Sequence, residues 1–322
     1  MKTVTRTIAL AVLAGSLAAA PARAAEKPVA IGTLPQGSLG FAIASAVAKV
    51  ATEKGGLQVR AIGQGGSSVY LPKVNSGELE FGTSNTFEAI FATQGTGNFK
   101  GRANGDLRVA AMLVPFAVGF MVAKDSPVKT VTDLKGRPFP TGYAKMKLVG
   151  IMQQAIFNAV GMSEKDVKPV PVPNFVKGAA LLAEGKVVGS FLAPGSGVVR
   201  KTHAKRPVRF IDIPKNEAVE RAIQAALPGS RLVLVKPNKR LVSIAGPVHL
   251  VGYQYALMTN AKVSDDTVYR LVKALHGNKK SLAAAHGIFR RFNPKRIAPK
   301  LEGAVYHPGA VKFYKEAGLW KD

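Results

Sequence analysis

The chain has 322 residues, 45 Lys and Arg against 19 Asp and Glu for a net charge of +26, and no cysteine. With 47% hydrophobic and 20% charged residues it has enough apolar material for a sizeable core, so global disorder is excluded, and the length suits about two domains. Disulfides, thiolate metal sites and cysteine nucleophiles are excluded too, and His203, His249, His276, His286 and His307 show no zinc-ligand spacing.

The first segment reads as an address. Lys2 and Arg6 precede the apolar run Thr7–Ala20, and Pro21-Ala22-Arg23-Ala24 places small residues at −3 and −1 of a cleavage site after Ala24. Residues 1–24 are therefore expected to be a signal peptide, and the destination periplasmic. Its removal takes away three cations and no acid, which leaves +23. An exported chain does not meet genomic nucleic acid, so the charge needs another explanation.

After the signal, strands alternate with helices. Val29–Thr33, Leu57–Ile62 and Leu79–Thr83 read as strands, separated by helices at Ser38–Lys54 and Ser67–Ser76. Pro72 belongs only in a first turn or at a kink. A second unit runs through the strand Arg137–Thr141, the helix Lys147–Val160, the strand Val170–Pro173, the helix Phe175–Glu184 and the strand Val187–Leu192. Helices close the chain at Ser264–Asn278, Ser281–Arg290 and Pro308–Glu316. Two long apolar stretches, Val109–Ala123 and Ile244–Met258, are broken by Pro and Gly. Both fall short of the ~18 uninterrupted apolar residues of a membrane span. They read as strands covered on both faces, crossing between two doubly wound α/β lobes near 118–123 and 250–256. The expected division is 25–121 for lobe 1, 122–253 for lobe 2 and 254–322 for the helical return to lobe 1.

Ligands of open α/β sheets bind at the carboxyl ends of the strands. There the chain places Thr33-Leu34-Pro35-Gln36-Gly37-Ser38, Gly63-Gln64-Gly65-Gly66-Ser67-Ser68 and Gly82-Thr83-Ser84-Asn85 in the first lobe. The second lobe has Thr141-Gly142-Tyr143-Ala144-Lys145 and Ala193-Pro194-Gly195-Ser196-Gly197. Glycine admits a ligand close to backbone amides, and a following helix aims unpaired N–H groups at an anion. Neither G-x-S-x-G nor a phosphate-loop lysine motif occurs, so a binding cleft without catalysis or cofactor is expected. The candidate ligand-binding residues are Thr33, Gln36, Ser38, Gln64, Ser67, Ser84, Asn85, Phe116, Tyr143, Lys145 and Ser196.

Four segments resemble the TAXI family of extracytoplasmic solute-binding proteins from TRAP-type transporters. They are Ile31-Gly32-Thr33 with Gly37, Gly65-Gly66-Ser67 followed by Ser76-Gly77-Glu78-Leu79-Glu80-Phe81-Gly82, Val131-Thr132-Asp133-Leu134-Lys135-Gly136-Arg137, and the closing run from His307-Pro308-Gly309-Ala310 to Gly318-Leu319. The resemblance implies a type II periplasmic-binding-protein clamshell and delivery of a small organic anion, such as glutamate or a dicarboxylate, to an integral-membrane TRAP permease. A monomer, with no nucleic-acid partner, is expected. The pocket departs from the family at Leu34, Pro35, Gly40-Phe41, Asn85, Phe116 and Gly142–Lys147. The losses to Leu34, Phe41 and Phe116 imply a more apolar ligand body, with Lys145 or Lys147 at its carboxylate. Two other readings stand beside this one. The same receptor would report to a signalling partner, or the basic surface would bind anionic polymers or headgroups.

Overall fold

The computed structural model describes residues 27–301 and 303–320, so the expected signal peptide lies outside the described residues. Strand β1 (Val29–Thr33) pairs in parallel with β2 (Val59–Gly63) and with β3 (Phe81–Asn85). Helix α1 (Leu39–Gly55) links the first two strands and α2 (Ser67–Ser76) the next two. The Ser38 hydroxyl accepts from the Phe41 N–H to start α1, and Gly56 ends it in the left-handed region at φ 64°. Pro72 sits in the interior of α2, not its first turn. Lacking an N–H, it leaves the Ser68 carbonyl without its helical donor.

After α3 (Thr86–Gln94), the 17-residue strand β4 (Leu107–Ala123) runs antiparallel to β10 (Val248–Asn260) from Leu107 to Val118. These two strands organise the molecule. One end of β10 pairs with β3 at 255–259, and the other pairs with β9 (Arg231–Val235) at 248–252. Beyond Val118, β4 pairs with β7 (Gly189–Leu192) on one side and β8 (Val208–Phe210) on the other. The long apolar stretches are thus strands, although β10 starts at Val248, later than the expected Ile244, and runs on to Asn260. Because they pair with each other from Leu107 to Val118, the halves share one curled eight-stranded sheet. A two-stranded parallel sheet, β5 (Pro138–Thr141) with β6 (Lys168–Pro171), lies beside β7 through a bond from Val188 N–H to the Pro138 carbonyl. Leu113 and Ala110 are unpaired bulge residues where the β4–β10 register shifts. The free edge of β4 is covered by the C-terminal segment, with Met112 N–H bonded to the Ile297 carbonyl and Val109 N–H to that of Val305.

Helices α4 (Lys147–Ala159), α5 (Phe175–Ala183), α6 (Gly197–Lys205) and α7 (Glu217–Ala226) belong to the half built on β5–β9. Helices α8 (Asp265–Gly277), α9 (Lys279–Ala285) and α10 (Pro308–Glu316) pack on the half built on β1–β3. The single helix expected at Ser281–Arg290 is broken at His286, whose extended backbone (φ −152°) separates α9 from a 3-10 turn at Gly287–Arg291. Sequence reading did not anticipate α3, α6, α7, β8 or β9. Among the described residues no helix is long and apolar enough to cross a membrane.

The closing His307-Pro308-Gly309 motif has a structural task. His307 is 1% exposed, donates from Nε2 to the Val263 carbonyl and accepts the Gly309 N–H at Nδ1, so it caps α10 as a neutral ring. Burial lowers its pKa, against a smaller upward pull from Asp265. A Cβ at Gly309 would lie 2.3 Å from the Asp265 carbonyl oxygen. Gly309→Ala is therefore expected to cost roughly 1–3 kcal/mol and to lower the melting temperature by several degrees, read by calorimetry. An unchanged melting temperature would show that the α8–α10 contact is loose.

Candidate ligand-binding site

Six consecutive helices aim their first turns at one place. The N-cap or first-turn residues Ser38, Ser67, Asn85, Met146, Phe175 and Ser196, starting α1 to α6 in order, all line a cavity of about 50 Å³ between the two halves. Converging N-termini carry partial positive charge and suit an anion. The remaining wall is apolar and aromatic. Phe116 on β4 stacks on Tyr253 of β10 at 5.4 Å and lies 4.9 Å from Tyr255, and Leu34, Met152 and Phe191 complete the lining. One water needs roughly 10–15 Å³ of such space, so the cavity suits a compact solute.

The halves touch above it. Val198 N–H of α6 donates to the Gly37 carbonyl at 3.0 Å, which joins the first loop to the last. Gly66 packs so tightly on the Lys145 carbonyl that a Cβ would lie 2.1 Å from it. The five Gly/Ser/Thr loops therefore gather around one closed cleft.

Of the eleven candidate residues, Ser38, Ser67, Asn85, Phe116 and Ser196 line the cavity. Thr33 and Ser84 lie behind it. The Thr33 and Thr83 hydroxyls are 2.8 Å apart, and the Tyr255 hydroxyl donates to Thr83 Oγ1. Gln36 and Gln64 lie outside the wall, exposed and half-buried respectively, with Gln64 N–H bonded to the Thr33 carbonyl. Tyr143 is fully buried yet does not line the cavity. Its backbone is strained at φ 36°, and its hydroxyl has no partner among the described residues. Lys145 and Lys147 are both exposed and off the wall, because the Lys145 side chain packs along Gly65. Neither lysine reaches the cavity in this closed arrangement. Leu34 and Phe116 do supply apolar surface, whereas Phe41 turns toward Gly63.

Sequence reading missed Tyr253 and, above all, Glu88. Glu88 lies in the first turn of α3, 1% exposed, on the cavity wall. Oε1 accepts from Ser67 Oγ at 2.6 Å and Asn98 Nδ2 at 2.8 Å, and Oε2 has only a 3.4 Å contact from Ser84 Oγ. Burial raises its pKa from 4.5 to about 7, against the lowering effect of these three donors. The spacing Asn85-Thr86-Phe87-Glu88 is a helix-start signal, and the Asn85 side chain does accept the Glu88 N–H. That signal locates α3 but not the burial. Burial also keeps Tyr70, Tyr253 and Tyr255 protonated, aided by Glu88 and, for Tyr70 and Tyr253, by Tyr255. Three hydroxyl protons remain uncommitted at the wall, those of Ser38, Ser196 and Tyr253, for which the described residues include no acceptor. The described residues contain no cluster of acids and histidines able to hold a metal.

The NMT1-like family profile matches residues 31–318. The structure is similar to the periplasmic binding protein BugD, with a TM-score of 0.62 and 12% identity over 92% of this chain and 99% of that one. It is also similar to MatC from Rhodopseudomonas palustris with bound malate, at 0.58 and 13% over 84% and 90%. A putative periplasmic sulfonate-binding protein, SsuA from Methylobacillus flagellatus KT, aligns at 0.50 and 16% over 91% and 96%. These likenesses establish the fold as the α/β fold of periplasmic binding proteins.

Glu88 generates a prediction about stability. A raised carboxyl pKa means that the folded state holds a proton the unfolded state releases above about 4.5. Unfolding free energy therefore falls as pH rises from about 4.5 to about 7. Between pH 5 and 8 the loss is on the order of 2–3 kcal/mol. Urea unfolding at both pH values should show this loss in the wild type relative to Glu88→Gln. Equal pH slopes in the two proteins would contradict it.

Proposed function

The chain belongs to the NMT1-like family, and from that membership and the closed cavity we propose that it is a periplasmic solute receptor whose two halves shut on a compact organic carboxylate. The observation that carries the reading is the pair of serine hydroxyls, Ser38 from one half and Ser196 from the other, facing one cavity ringed by six helix N-termini. A ligand held by donors from both halves favours the closed state through its differential affinity for it. The Tyr253 hydroxyl, on the crossing strand β10, is the third donor. The walls of Leu34, Met152, Phe116 and Phe191 favour a ligand with an apolar body over one polar throughout. Glu88 has a role in the same chemistry. Protonated, it donates to a carboxylate; ionised, it repels one.

The finer reading follows the sequence. The receptor is of the TAXI type, works as a monomer, is exported by cleavage after Ala24, and delivers its ligand to the membrane subunits of a TRAP permease. Its lobes divide at 25–121, 122–253 and 254–322. MatC, whose fold this chain shares, was solved with malate, which is in keeping with a carboxylate ligand. The His307-Pro308-Gly309 motif supports family kinship through the helix it anchors, not through ligand contact.

Closure supplies the test. Gly66 is extended (φ 166°), so alanine there is unstrained in the open state but clashes with Lys145 in the closed one. In calorimetric titrations with mono-, di- and aromatic carboxylates, the wild type should bind at least one member at micromolar to low-millimolar Kd. Gly66→Ala should weaken that binding at least tenfold with little change in the melting temperature of the free protein. Equal affinity in the variant, or no carboxylate bound by the wild type, would overturn the reading.

A further inference from the structure

A second and larger cavity, of about 390 Å³, opens beside β4 where it passes between the halves, the hinge of the proposed closure, and shares Leu39 and Phe116 with the inner one. Four arginines line it. Arg200 on α6 and Arg240 in the β9–β10 connection come from the half built on β5–β9, and Arg290 and Arg291 from the 3-10 turn that packs on β4. An adjoining cavity of about 400 Å³ shares Pro115 and Arg291 and adds Arg231 and Arg296. No Asp or Glu lines either cavity, and among the described residues none of these six arginines is ion-paired.

All six arginine side chains are exposed, yet their crowding is felt by neighbouring groups. His286, on the same wall, is held neutral by burial and by the charge of Arg200, and Arg291 is depressed by burial and by Arg231. The fold gathers these cations without supplying a counter-ion. A guanidinium presents a planar fork of donors that matches oxyanions two bonds at a time. We propose that the hinge cavity is a second ligand site, for a compact multivalent oxyanion gripped by Arg200 and Arg240 on one side and Arg290 and Arg291 on the other. The site stands apart from the solute reading of the inner cavity. An anion held there neutralises like charges brought together from both halves.

The test uses the purified protein and two probes, inorganic pyrophosphate and citrate, at ionic strength held constant with potassium chloride. Saturable one-to-one binding by calorimetry is expected for at least one of them. The double variant Arg240→Ala/Arg290→Ala should weaken it at least tenfold. Because these side chains are exposed, the variant should fold; Arg240→Lys/Arg290→Lys, which keeps the charge but loses the fork, should also weaken binding, by less. Pyrophosphate alone binding would identify a phosphate-type ligand, and citrate alone a polycarboxylate. No saturable binding of either probe would overturn the proposal, as would undiminished affinity in the alanine variant.

Discussion

The structure depends on one antiparallel pairing. β4 and β10 run side by side from Leu107 to Val118, and every other sheet strand except β5 and β6 joins the molecule through them or through a neighbour that does. Burial of most of their residues explains why both are largely apolar, with Arg108, His249 and Gln254 among the partly exposed positions. The pair is also the hinge of the proposed closure. Where β10 exchanges β3 for β9 and β4 exchanges β10 for β7 and β8, these strands run continuously from one half to the other. Phe116, Tyr253 and Tyr255 sit at that exchange, so the aromatic wall of the cavity lies where the proposed closure would pivot.

From this arrangement the chemistry follows. Parallel strands feeding helices put helix N-termini at one edge of each half, and facing the two edges together brings six to one cavity. The anion preference proposed for it rests on helix N-termini and hydroxyls, with no lysine or arginine on the inner wall. Glu88 then has a particular place. A permanent carboxylate inside an anion cavity would oppose the ligand, and burial raises its pKa to about 7, where a proton removes the conflict. The chain's large positive charge lies elsewhere, in part as the arginines that line the hinge cavity.

Much of this was legible in the residues. The alternation of Val29–Thr33 with Ser38-capped α1, and the two long apolar stretches, mark two α/β halves and their crossing strands because these patterns report burial directly. The missed elements carried weaker or masked signals. Asn216 followed by Glu217 and Glu220 does announce α7, but α6 opens on Gly197 amid glycine and looks like loop. β8 has three residues, too few for a period. Within the site, serine and asparagine caps at strand ends were readable, since cap and strand end are both local. The position of Lys145 was not, because it depends on how tightly Gly65 and Gly66 meet the opposite half. Nor was the burial of Glu88, which requires Ser67 and Asn98 to converge on it from other elements.

The central claim is that the halves close on a ligand held between them, and a distance across the cleft tests it most directly. The absence of native cysteine allows clean spin labelling of Lys49→Cys on α1 and Lys177→Cys on α5, both exposed and one on each half. Pulsed electron–electron resonance should give a broad, longer distribution for the free protein. Saturation with a stabilising carboxylate should collapse it to one narrow, shorter population. Identical distributions with and without that carboxylate would contradict the account.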